Sequence, residues 1–86
     1  MPSRGPSALR ARLARNLKAA RADRGYSQER LAEVSGVSRS YIAEVETLNR
    51  NVTIDVLARI AEALQLDATE LLRPDPSKLL AENASP

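Results

Sequence analysis

Arg39, Ser40, Ala43, Glu44 and Thr47 are spaced so that a helix would carry them together, away from Ile42 and Val45. Advancing about 100° per residue from Ile42 puts Val45 and Glu46 within about 60° of it, and Ser40, Glu44 and Thr47 on the opposite side. That outward face is small and polar in its N-terminal half, with a guanidinium at its start. Such a face suits insertion into a nucleic-acid groove, where bulky residues would hold a helix away from base edges. It would also serve as an ordinary solvated surface, and spacing alone does not choose between the two.

Other chemistry is poorly supplied. The chain has no His and no Cys, which excludes a disulfide framework, a thiol nucleophile, a histidine base and the usual zinc sites. Its acids are dispersed over helix surfaces, so a small enzyme would lack a catalytic cluster. No metal, cofactor or small-molecule ligand is expected. At 86 residues the apolar side chains can build one core, which excludes a multi-domain enzyme. With Tyr26 and Tyr41 the only aromatics, the core must come from Leu, Ile, Val and Ala, a composition that favours helices. Charge is split along the chain. Residues 1–30 hold eight Arg or Lys against two acids, and residues 31–86 hold five against nine. That asymmetry points to one basic face and a polyanionic partner, either nucleic acid or a membrane surface. No apolar run approaches the ~20 residues of a membrane span and no signal-peptide pattern opens the chain, so the protein is read as cytoplasmic, with no membrane partner.

The elements that must position the polar face follow from periodicity and caps. Residues 1–7, rich in Pro, Ser and Gly, read as a flexible basic tail. From Ala8, Leu9, Leu13 and Leu17 recur every fourth residue and define a first helix that Gly25 ends. Ser27 caps a second helix with Leu31, Ala32 and Val34 facing inward; Gly36 breaks it, and Ser38 caps a third running to about Leu48. Asn49-Arg50-Asn51 reads as a turn. Thr53 caps a fourth helix, with Ile54, Leu57, Ala58, Ala61 and Leu64 at helical spacing, and Asp67-Ala-Thr-Glu70 is a capping-box-like start for a short fifth that Pro74 closes. Residues 74–86 read as a tail or a dimerisation extension. The expected architecture is all-α, a compact five-helix bundle in which two helices joined by a Gly-containing turn hold the second one outward.

Arg24-Gly25-Tyr26-Ser27-Gln28-Glu29-Arg30-Leu31-Ala32, then Ser35-Gly36-Val37-Ser38-Arg39-Ser40-Tyr41-Ile42 and Glu46, strongly resemble the helix-turn-helix of the Cro/CI-like, or XRE, family of bacterial and phage repressors. Thr53 to Leu64 and Asp67 to Leu72 resemble that family's fourth and fifth helices. The resemblance covers roughly residues 9–73 and implies a domain, taken as residues 8–73, that binds double-stranded operator DNA, usually as a homodimer. After the third helix, Glu46-Thr47-Leu48-Asn49-Arg50-Asn51-Val52-Thr53 departs from the family's common Gly and Pro-Thr wording and resembles the small controller proteins of restriction–modification systems.

The resemblance also implies roles. Arg39, Ser40 and Glu44 would read bases, Arg39 by donating twice to guanine O6 and N7, Glu44 by accepting from a cytosine amino group. Gln28, Ser38, Tyr41, Asn49, Arg50 and Asn51 would hold the sugar–phosphate backbone. Arg21 and Glu46 would form a structural ion pair tying the first helix to the third. Leu66, Leu71 and Leu72 are candidates for a dimer interface, although a small apolar cluster near a chain end also fits core closure. The competing reading is an antitoxin-like module that binds a protein through residues 74–86 as well as DNA.

Overall fold

The structure, a computed structural model, describes residues 5–48 and 50–74. Asn49 and, apart from Pro74, the expected C-terminal extension lie outside the described residues. Among the described residues four α-helices follow in order: α1 (Pro6–Asp23), α2 (Gln28–Ser35), α3 (Arg39–Glu46) and α4 (Ile54–Ala63). Pro6 stands in the first turn of α1, where its missing N–H leaves no helical bond unmade. The helix therefore starts before Ala8 and takes in the end of the segment expected to be a tail.

Local rules set the boundaries. Gly25 takes a φ of 68°, and the chain closes on itself as Gly25 N–H donates to the Ala22 carbonyl and Tyr26 N–H to the Arg21 carbonyl, both at 2.9 Å. Ser27, Ser38 and Thr53 each accept the backbone N–H three residues on, at 3.0, 3.1 and 3.1 Å, and so open α2, α3 and α4.

The fifth α-helix is not formed. Ala68–Leu72 is a five-residue 3₁₀ helix. Asp67 accepts both the Thr69 N–H at 2.9 Å and its hydroxyl at 2.7 Å, bonds that hold the Asp67 carboxyl below its usual range. Glu70, the other half of the anticipated capping box, turns instead to Arg73 at 2.9 Å. Pro74 holds Arg73 in extended backbone, with ψ at 140°, so the helical segment stops at Leu72.

Leu17, Leu31, Ile42, Ile60, Leu64 and Leu71 are fully buried and join α1, α2, α3, α4 and the 3₁₀ helix in one core. α1 packs on α3 and the 3₁₀ helix, and α2 packs on α3 and α4. The Asn16 amide donates to the carbonyls of Leu71 (3.0 Å) and Arg73 (2.9 Å), and Arg15 donates to Arg73 O at 2.7 Å, so the two ends of the domain are clasped. Leu71, a candidate for a dimer contact, thus belongs to the chain's own core and has no surface to offer, while Leu66 and Leu72 stay half-buried. Leu9, Val34 and Ile54 depart from the inward facing expected of them, at 44%, 42% and 78% exposure, and Ala58 is exposed too. An apolar stripe is covered only where another element faces it. Leu9 lies in the first turns of α1, Val34 near the end of α2, and Ile54 opens α4.

Candidate nucleic-acid interface

Gly36 ends α2 with a φ of 74°, a left-handed conformation that a Cβ would strain. The next residue, Val37, drops into the core, and its N–H is held by Ser35 Oγ at 3.2 Å. Ser38 then restarts the chain as α3. The turn fixes how α3 leaves α2, and burial of Ile42 and Val45 fixes its rotation. Arg39 and Ser40 stand exposed in the first turn; Glu44 lies one turn on, with its side chain 42% exposed. These three residues, expected to read bases, share the outward side. Thr47 bonds back to the carbonyls of Ala43 and Glu44, both at 3.1 Å, which occupies its hydroxyl within the helix.

Three of the expected backbone-holding residues, Tyr41, Arg50 and Asn51, lie beside this face in a linked group. Arg50 Nε is 2.6 Å from Glu44 Oε2, and its guanidinium lies 4.4 Å over the Tyr41 ring centroid. The Tyr41 hydroxyl donates to the Asn51 carbonyl at 3.3 Å, and the Asn51 side chain accepts from Arg10. Nothing in the position of Arg10 beside Leu13 on α1 signals that residue 51 would reach it. Arg39 has a looser neighbour, Glu29, at 3.9 Å, with both side chains more than half exposed.

Behind the face, Glu46 is 5% exposed. It receives Arg21 twice, Nε at 2.9 Å and Nη2 at 3.0 Å, and Gln28 Nε2 at 3.0 Å, while Arg21 Nη1 also donates to the Tyr26 carbonyl at 2.9 Å. Burial pushes the Glu46 carboxyl up, but the bonds from Arg21 and Gln28, with the charges of Arg21 and Lys18, outweigh it and hold the group below its usual range. The bonds it donates to Glu46 raise the Arg21 guanidinium in turn. Gln28 therefore has one end fixed at the C-terminal residue of α3, and no polar buried side-chain atom lacks a partner among the described residues. No group of three acidic, His or Cys residues that could hold a metal occurs among them either, and no described helix is long and apolar enough to cross a membrane.

Comparison with known proteins places this geometry. A helix-turn-helix family profile, HTH_3, matches residues 17–71. Control protein C.SmaI of Serratia marcescens is 45% identical over 60 residues, covering 70% of this chain and 71% of that protein. The hypothetical transcription factor NHTF from Neisseria superposes with a TM-score of 0.79 at 33% identity, over 94% of this chain and 90% of that one. The restriction–modification controller protein C.AhdI from Aeromonas hydrophila superposes with a TM-score of 0.70 at 37% identity, over 72% of this chain and 94% of that one. With the matched residues spanning α2, the Gly36 turn and α3, the chain belongs to the HTH_3, Cro/CI-like (XRE) family of helix-turn-helix transcriptional regulators.

Proposed function

We propose that the protein is a sequence-specific regulator of the controller type that binds double-stranded DNA as a homodimer on a palindromic operator, with α3 in the major groove. The observation that carries this reading is the outward side of α3. It opens with exposed Arg39 and Ser40 on a capped first turn, and Arg50 stacks on Tyr41 beside it. Arg39, Ser40 and Glu44 act on base edges; Gln28, Ser38, Tyr41, Arg50 and Asn51, with Asn49 in the same connection, hold phosphates and sugars. The chemistry is binding alone, and the response to protein concentration comes through dimerisation.

Selection of bound duplexes from randomised DNA tests this directly. The enriched sequence is expected to be an inverted repeat whose half-sites lie about one helical turn, roughly 34 Å, apart. Against it, Arg39→Ala should lose about 10- to 100-fold in affinity and most of the preference over a scrambled duplex, whereas Arg50→Ala should weaken both duplexes alike. No enriched sequence, or an Arg39→Ala protein that discriminates as well as the wild type, rules the assignment out.

The dimer face is proposed to run through Ile54 and the half-buried Leu72, which line one mostly apolar groove with Pro6, Leu9, Val52 and Leu57, in which Arg10 and Asn51 are the polar members. Ile54, at 78% exposure, is the feature a second copy would cover. Ile54→Arg is expected to shift sedimentation equilibrium to monomer at least tenfold in concentration, since a charge replaces a side chain worth about 1.5–3 kcal/mol on burial. An unchanged dimer constant would move the interface elsewhere.

A further inference from the structure

Four residues assigned to the DNA surface, Glu44, Arg50, Tyr41 and Asn51, are bonded to one another. A carboxylate on a surface that meets phosphates is unfavourable unless it has a task there. Glu44 sits on the base-facing side of α3, yet its carboxylate pairs at 2.6 Å with the guanidinium best placed beside that helix to meet the backbone. We propose that Glu44 sets sequence specificity by competing with DNA phosphate for Arg50. This rests on the regulator reading above and adds how wrong sequences are rejected.

The argument follows from which partners each group can find. A phosphate oxygen that approaches Arg50 brings a second negative charge to a guanidinium already neutralised by Glu44. To bind it at full strength, Arg50 must leave the carboxylate, whose only replacements in the major groove are amino donors, cytosine N4 and adenine N6. Where the sequence presents such a donor, both exchanges occur together: Glu44 passes to the base, Arg50 to the phosphate, and no charge is stranded. Where it presents guanine O6 or thymine O4, the carboxylate faces another acceptor, so either Arg50 stays on Glu44 and a phosphate contact is lost, or Glu44 is left unpaired. Discrimination of this kind penalises the wrong DNA more than it favours the right one. The Tyr41 ring supports the exchange by keeping the guanidinium over one place while it changes partners. Glu29 and Arg39 do not form a second such device, since at 3.9 Å with both side chains largely exposed their pairing is loose.

The test measures anisotropy of the duplex enriched by the wild type and of its scrambled counterpart, between 50 and 200 mM salt as rough limits, for wild type, Glu44→Gln, Arg50→Gln and the double variant. Glu44→Gln is expected to bind scrambled DNA about tenfold more tightly with no matching gain on the enriched duplex, where its own base contact is weakened, so discrimination falls at least about tenfold. The salt dependence on scrambled DNA should steepen by about one counterion as Arg50 becomes available. In the Arg50→Gln background the gain should shrink to under about threefold. An equal gain on both duplexes, or the same gain with Arg50 replaced, makes Glu44 a simple bulk charge and overturns the proposal. A wild type that binds neither duplex overturns the regulator reading as well, whereas a wild type that discriminates alongside an unaltered Glu44→Gln overturns only the exchange.

Discussion

Glu46→Ala is expected to lower the unfolding free energy by about 3–5 kcal/mol, a large part of what a domain of this size has. The side chain of Glu46 is 3% exposed, against 21% for Arg21, so the acid is the buried member and the guanidinium bridges from it toward water. Removing Glu46 strands three donors at once, two from Arg21 and one from Gln28. Arg21→Met should cost less than Glu46→Ala, because water reaches part of the arginine site, although the Tyr26 carbonyl also loses a donor. The double variant should cost less than the two singles added, since a lone desolvated charge no longer remains. Urea denaturation of the four proteins settles this, and strict additivity would mean the two residues do not act as a pair. The same pair predicts a pH dependence. With its folded value below its unfolded one, Glu46 contributes stability above the ordinary glutamate range, about 4.3. That contribution is lost as the pH falls through the folded value. Glu46→Gln should flatten the acid limb of a stability profile measured from pH 7 to 3.

Ile42→Ala is expected to cost about 3 kcal/mol, within the roughly 2–5 found for large-to-alanine changes in cores. Ile42 is fully buried on the inward side of α3, in a helix of eight residues that is too short to persist without its packing. The urea midpoint should fall with the slope unchanged, because the surface exposed on unfolding is nearly the same. Saturating operator DNA should restore much of the loss by mass action, since the substitution leaves the outward residues untouched. A cost below about 1 kcal/mol would mean that neighbouring side chains collapse into the vacated space.

What was legible before the structure was the part written in local rules. Ser27, Ser38 and Thr53 announce three helix starts, and Gly25 and Gly36 two helix ends, because a cap or a left-handed turn involves residues within a few positions of one another. The Arg21–Glu46 pair came from resemblance to a family, and the structure brings the two within 2.9 Å. The fifth helix departs from the expectation: Asp67 caps in the anticipated way, but a cap cannot say which kind of turn follows or how many. Leu71 and Ile54 depart from the expectation in opposite senses for one reason: burial is decided by distant segments rather than by the periodicity of the element itself. The link between Glu44 and Arg50 was equally hidden. It depends on the path after α3, where Leu48 adopts a φ of 67° that no glycine advertises.

The clasp between α1 and the 3₁₀ helix has a consequence for how the molecule is made. Asn16 and Leu17 are synthesised early, but the carbonyls and the leucine that complete their surroundings belong to Leu71 and Arg73. At about 5–20 residues per second of translation, roughly three to ten seconds separate the two ends. During that interval the apolar side of α1 can meet α3 but not the 3₁₀ helix, and α3 rests on an unfinished core. A nascent chain halted before residue 71 would thus be a protease substrate, so the capacity to occupy DNA arrives only when the last turn of the domain has been made.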